Sequence, residues 1–236
     1  MNLFKSLKTP NWGKLGKMLE GFLHPNFEYM FGTSDVFNFQ NSVVYQIIET
    51  FAIAFIGTAI SAVLSIPFGF LASSKITGKY AVIANIFLVL VRTFPEILVG
   101  FFFIQVFGFG SICGVAVISI HSIGMIGKMY AEQIDLISND PLEALDACGA
   151  TKITRIGYGV VPQIAPNFLS VILYRFDLNV KTASLLGLVG AGGVGYPISV
   201  YSANEHWGEL AAVLYGVIFL VILVDFLSSY LRKKLI

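Results

Sequence analysis

Hydrophobic residues in this chain come in long continuous runs, at residues 43–71, 80–107, 111–129, 168–190 and 211–231. A helix needs about 20 apolar residues to cross the ~30 Å hydrocarbon core of a bilayer, and each run is near or above that length. The period-two alternation of a membrane barrel strand is missing. The second run is interrupted by Arg92-Thr-Phe-Pro95-Glu96. Division there would leave a first piece of about twelve residues, too short to span, so one helix broken at the proline is predicted. The expected fold is an all-α integral membrane protein of about five transmembrane helices, with short cytoplasmic helices between two of them. Residues 1–42 read as a leader, 43–231 as the membrane domain with a cytoplasmic loop at 131–162, and 232–236 as a basic cytoplasmic tail.

Lys and Arg placement orients the spans. With an outside N-terminus, Lys75, Lys79, Lys128, Lys152, Arg155, Arg232, Lys233 and Lys234 fall inside, and Lys5, Lys8, Lys14 and Lys17 outside. A six-span arrangement leaves fewer positive charges outside, but span length favours five. Both arrangements put the 131–162 loop and the terminal RKK in the cytoplasm. In the leader, Leu15, Met18, Leu19 and Phe22 among lysines suit either a short interfacial helix or a loosely ordered segment. The leader is basic but lacks the apolar stretch of a signal peptide.

Composition agrees with the pattern. Of 236 residues, 56% are hydrophobic and 12% charged, against roughly 25% charged in soluble domains; mean hydropathy is +0.78. A formal net charge of +1 gives no nucleic-acid footprint. The two cysteines, Cys113 and Cys148, form no CxxC and imply neither a metal site nor a disulfide framework. No HExxH, Ser-Lys arrangement or Walker A motif is present. The chain is expected to be no enzyme and to hold no cofactor or metal of its own.

One polar segment stands apart, EALDACGATKITRIGYGVVPQIAP at residues 143–166. Asp140 is placed to N-cap a helix, with Pro141 at its first position and Glu143 at N3. That helix should run to Gly149, where a sharp turn is allowed. A second short helix is expected over 151–158, carrying Lys152 and Arg155. Pro162 would end the cytoplasmic path and Pro166 would begin the next span. By itself this is an amphipathic connector or a rigid docking joint.

Glu143-Ala144, Gly149 and Pro162 at their spacing resemble the cytoplasmic EAA loop of ABC-transporter permeases. Three positions depart from the family pattern: Leu145 replaces the second Ala, Gly159 the usual Ile and Val161 the usual Leu. The blocks RTFPE, HSIGMIGKMYAE, LYRFDLNVKTAS and GLVGAGGVG extend the resemblance over about residues 45–234, and together they resemble phosphonate ABC-transporter permeases in particular. That resemblance implies a multi-pass protein of the bacterial inner membrane working as a homodimer with a second permease copy. It implies ABC ATPase subunits carrying the ATP and Mg, and an extracytoplasmic binding protein delivering phosphonate or a related phosphorus oxyanion. Glu143, Ala144, Gly149, Ala150 and Pro162 become the expected ATPase-coupling residues. The alternatives are a permease of the same class for another small solute, such as methionine, and an ion-coupled secondary transporter. The latter predicts inverted repeats with broken helices in both halves, whereas one broken span is visible.

Ionisable residues inside a membrane are costly, at least ~2.5 kcal/mol each at mid-bilayer, so they face a cavity or a partner. Arg92 and Glu96 are one turn apart; they either neutralise each other or line a path in which Arg92 attracts an anion and Glu96 orients it. Asp177 and Lys181 are spaced i,i+4 and should pair. Arg175 points about 200° away from Asp177 on the helical wheel. It is available for bidentate oxyanion contact, for snorkelling or for pairing across a dimer. His121 is either a hydrogen-bonder in the path or a buried neutral imidazole beside a serine. Gly190, Gly192, Gly193 and Gly195 satisfy G-x-G-x-x-G, but a dinucleotide fingerprint needs a preceding strand. Here the glycines read as a tight outer turn with close helix packing, or secondarily as a backbone anion nest.

Overall fold

The computed structural model describes residues 12–27 and 42–235. Its main helices are α1 (Trp12–Leu23), α2 (Val43–Ala72), α3 (Ala81–Thr93), α4 (Glu96–Phe107), α5 (Ser111–Asp135), α6 (Asp140–Ala147), α7 (Val161–Leu186), α8 (Gly195–Ala203) and α9 (Trp207–Leu235). No strand occurs among the described residues. Five helical stretches are long and apolar enough to cross a membrane: Val43–Ala72, Ser74–Thr93, Ser111–Asp135, Lys152–Val189 and Trp207–Leu235. Lys5 and Lys8 lie outside the described residues.

α3 and α4 form one crossing. Lys128 Nζ donates to Asn85 Oδ1 at 3.0 Å, His121 meets Glu96, and Cys113 Sγ lies 3.8 Å from the Gly100 carbonyl. Partners on α5 therefore recede steadily toward its start as the chain advances through both pieces. The break follows from Pro95, which pushes the preceding residue out of the helical region; Phe94 is extended at φ −73, ψ 127.

α5 is the axis of the bundle, packed between α2 and the broken helix. Its glycines let neighbouring backbones approach: a Cβ on Gly124 would press on the Leu88 carbonyl and the Arg92 backbone. The central core joins Ile53, Ala54, Val117, Val180, Leu186 and Val224, drawn from α2, α5, α7 and α9.

The loop residues fold as two braced limbs. The N-cap is Asn139 rather than Asp140. Its carbonyl accepts from both Leu142 and Glu143 N–H at 2.9 Å, while Ser138 Oγ takes the Asp140 N–H at 3.2 Å. With the cap at Asn139 the helix begins at Asp140, one residue earlier than the sequence suggested, and Ser138 Oγ satisfies its first N–H. At the other end Gly149 has φ +72. Its N–H donates to the Asp146 carbonyl at 3.0 Å and Ala150 N–H to Leu145 at 3.0 Å, the paired closure of a Schellman motif.

The second limb does not stop at residue 158. Thr151 N-caps it, accepting from Thr154 N–H at 3.3 Å. A π-helical stretch, Arg155–Val160, then joins Lys152–Thr154 to α7 without a gap. Pro162 and Pro166 thus sit inside a helix rather than ending one. Proline lacks the N–H that would bond the carbonyl four residues back, and the wider turn upstream absorbs the mismatch. Gln163 Nε2 meets the Gly159 carbonyl at 2.6 Å.

α1 is an amphipathic helix docked on the start of α9. Tyr215 donates to the Phe22 carbonyl at 2.8 Å and Asn26 N–H to Gly208 at 3.1 Å. Lys14 pairs with Glu205 and holds that carboxyl below its usual range. Arg232, at the far end of α9, lies over the Tyr174 ring on the loop side of the bundle. α1 with Lys14 and Lys17 is therefore on the side opposite the loop, and Arg232, Lys233 and Lys234 form the last turn of α9, where cations complement the helix dipole.

Candidate functional site: a cytoplasmic joint and a charged break

Three places carry the polar chemistry. At the cytoplasmic end, α6 is held by one apolar residue: Leu142 is buried in a cluster with Ile134, Ile137, Val160 and Ile164. Glu143, Ala144 and Gly149 face outward, exposed, while Ala150 is half-buried. Asp146 and Arg155 lie 3.4 Å apart and brace the two limbs. Leu136, Ile153 and Tyr158 are exposed hydrophobic residues on this polar face, which sequence reasoning did not single out. Each stands in an otherwise ordinary loop sequence, and only its exposure sets it apart.

Two of the departures from the EAA pattern are complementary. A Cβ added at Gly159 would collide with the side chains of Leu142 and Leu145. The larger residue at 145 occupies space that a larger residue at 159 would need. Gly159→Ile alone is expected to unseat α6, whereas Gly159→Ile with Leu145→Ala should recover part of the lost stability, the closer clash with Leu142 remaining. A double-mutant cycle on thermal unfolding measures this, and strictly additive losses would contradict it.

In the membrane, the Pro95 break brings Glu96, His121 and Arg175 together from three helices. Glu96 Oε1 accepts from Arg175 Nη2 at 2.8 Å and from His121 Nδ1 at 2.6 Å. Arg175 Nε donates to Ser122 Oγ at 3.2 Å, and Nη1 lies 3.0 Å from Met125 Sδ. Ser122 Oγ continues to Asn179 at 3.1 Å, which donates to Thr58 at 2.8 Å. Arg175 is 4% exposed and every nitrogen is engaged. The guanidinium left over by the local pair is not free. Its counter-ion comes from 79 residues away.

Asp177 and Lys181 pair as the spacing predicts, at 2.9 Å. Asp177 Oδ1 is buried and has no donor among the described residues. Arg92 and Glu96 do not neutralise each other: the carboxylate turns to Arg175 and His121, and Arg92 is exposed with no ion pair among the described residues.

The profile of the family described as binding-protein-dependent transport system inner membrane component matches residues 65–236. The chain belongs to this family. As an inner membrane transport component it is a multi-pass protein of that membrane, and its family is a transporter membrane part rather than an enzyme. It is 35% identical to the phosphite transport system permease protein PtxC of Stutzerimonas stutzeri, over 84% of this chain and 72% of that protein. It is 37% identical to a putative phosphite transport system permease protein, HtxE, of the same organism, over 62% of this chain and 56% of that one. It is 29% identical to the phosphate-import permease protein PhnE of Mycolicibacterium smegmatis, over 80% of this chain but 36% of that protein. Inward-facing MetNI methionine ABC transporter structures superpose with a TM-score of 0.72 at 21% identity, over 82% of this chain and 96% of that one. These structures speak for the fold.

The glycine block of this transport component lies at the end opposite the loop. Gly190, Gly192 and Gly193 take φ of +94, +84 and +71, open only to glycine at low strain. Thr50 Oγ1 accepts from Val194 N–H at 2.9 Å, Gly110 N–H donates to Gly190 at 3.0 Å, and Ser111 bonds Glu49 beside the turn. Gly195 packs backbone to backbone on Gly187. The turn staples the outer ends of α2, α5 and α7. An anion nest there is disfavoured, because the Glu49 carboxylate already borders the same hollow as Gly190, Gly192 and Gly193.

Proposed function

We propose that this chain is the membrane-spanning subunit of an ATP-driven importer for phosphonate, phosphite or a related phosphorus oxyanion, energised by separate ATPase subunits. The observation that carries the reading is the cytoplasmic joint: an outward-facing helix, locked by a Gly149 closure and anchored by Leu142, at the end of an otherwise apolar bundle. Rigid helices transmit a push, and the exposed Glu143, Ala144, Leu136, Ile153 and Tyr158 offer the ATPase a mixed polar and apolar grip. Two copies of the chain would enclose the path, and an extracytoplasmic binding protein would deliver the solute. ATP and Mg belong to the ATPase partner.

The oxyanion assignment is supported by the relatives at 35–37% identity, whose names specify phosphite. A methionine importer is the second reading, favoured by the likeness to the MetNI fold, but that likeness comes with 21% identity. The test is ATP-dependent uptake by the complete importer in proteoliposomes, with phosphonate, phosphite, phosphate and methionine in competition. Phosphite and phosphonate are expected to compete and methionine to leave uptake unchanged. Uptake of methionine without oxyanion uptake would overturn the reading.

A further inference from the structure

The charges around the Pro95 break do not balance. Arg92, Arg175 and Lys181 face two carboxylates, Glu96 and Asp177. Glu96 is committed to Arg175 and His121, and Asp177 holds Lys181 through its one partnered oxygen. One positive charge per chain is left over, and it resides on Arg92. This residue has the wrong place for snorkelling. It packs at the level of Gly124, near the middle of α5 (Ser111–Asp135), and stands roughly 16 Å along α3 from its cytoplasmic start at Ala81. Side chains in a helix lean toward its N-terminus, so Arg92 leans toward a helix start roughly 16 Å away, farther than its side chain extends. An exposed guanidinium at mid-bilayer must therefore face a watery path or an anion.

Resting on the importer reading above, we propose that Arg92 is the residue that contacts the oxyanion as it passes the broken helix. Arg92 from each of two copies would supply two positive charges, matched to a phosphorus oxyanion carrying one or two negative ones. Its planar fork suits bidentate contact with the tetrahedral oxygens. Arg175, the other arginine candidate in the sequence, is saturated and serves to fix Glu96. Glu96 in turn stands at the first turn of α4, where its spent charge cannot quench Arg92. Asp225, an exposed carboxylate without an ion pair among the described residues, is on α9. That helix packs on α1, α2, α7 and α8.

The test uses the complete importer in proteoliposomes with the Arg92→Gln, Arg92→Lys and Arg92→Cys variants. Arg92→Gln is expected to lower oxyanion uptake at least tenfold while ATP hydrolysis stimulated by the loaded binding protein persists. Arg92→Lys should fall between. Treating Arg92→Cys with a thiol reagent bearing an ammonium group should restore part of the uptake, and a sulfonate-bearing reagent should not. The parent chain, with exposed Cys148 and buried Cys113, is treated in parallel as the control. Unchanged uptake kinetics in Arg92→Gln would overturn the proposal, as would failure of the water-soluble reagents to reach position 92. Restoration of uptake by adding Asp225→Asn would also overturn it, by marking Arg92 as a counter-ion between copies. Absence of oxyanion uptake by the unaltered complex would instead sink the importer reading, and the proposal with it.

Discussion

Arg175→Met is expected to be the most damaging single substitution in the membrane core, by about 3–5 kcal/mol. Removing the guanidinium leaves Glu96 beside His121 alone in a region of low dielectric, and it strips partners from Ser122 and Met125. Most of the loss comes from the stranded carboxylate and not from the value of the pair itself. Thus Glu96→Gln combined with Arg175→Met should be more stable than Arg175→Met alone, because a neutral amide can stay with His121 at little cost. Thermal unfolding of the purified protein in detergent, together with the yield of folded chain, gives both numbers. A stable Arg175→Met chain would mean that the buried cluster is not a structural clamp.

Gly149→Val is the second large effect, and it should appear in coupling before it appears in folding. At φ +72 a β-branched residue is strained by roughly 1–2 kcal/mol. The cheapest relief is to open the turn, breaking the Gly149–Asp146 and Ala150–Leu145 hydrogen bonds. α6 would then swing on Leu142 and lose its fixed angle to the second limb. The five spans do not depend on that turn, so insertion and assembly should persist. Uptake is expected to fall at least tenfold, with ATP hydrolysis no longer responsive to loaded binding protein. Gly149→Asn, which tolerates the same backbone region better, should be milder. If both variants transport like the parent, the loop is a connector and not a joint.

The contrast between these two sites shows what could be read from the chain. The spans were legible because a bilayer demands long apolar runs whatever the tertiary contacts, and Pro95 marked the break by covalent geometry alone. The Asp177–Lys181 pair was legible because helical neighbours one turn apart are fixed by the helix itself. The Glu96–Arg175–His121 cluster was not, since it joins three helices whose rotations are set by packing around Gly124 and Val117. Spacing left open whether Arg92 and Glu96 neutralise each other, because local geometry cannot reveal that a distant arginine has first claim on the carboxylate. In the loop, Gly149 declared its turn, whereas the cap fell on Asn139 rather than Asp140, because the Asn139 carbonyl already takes the Leu142 and Glu143 N–H groups. Pro162 looked like a stop, and a locally widened helix absorbed it. Leu145 and Gly159 looked like two unrelated departures from a pattern; a Cβ at 159 would meet Leu145 as well as Leu142, which couples them.

The unbroken run from Lys152 through the π stretch to Leu186 has a mechanical consequence. The arm that meets the cytoplasm and the span that bears Arg175, Asp177 and Lys181 turn together, like the bit and handle of one drill. A π turn holds one residue more than the surrounding winding. If contact at the loop squeezed that residue out, everything beyond it would twist by about 100° while advancing only ~1.5 Å. Torque, then, travels along this axle far more readily than displacement does.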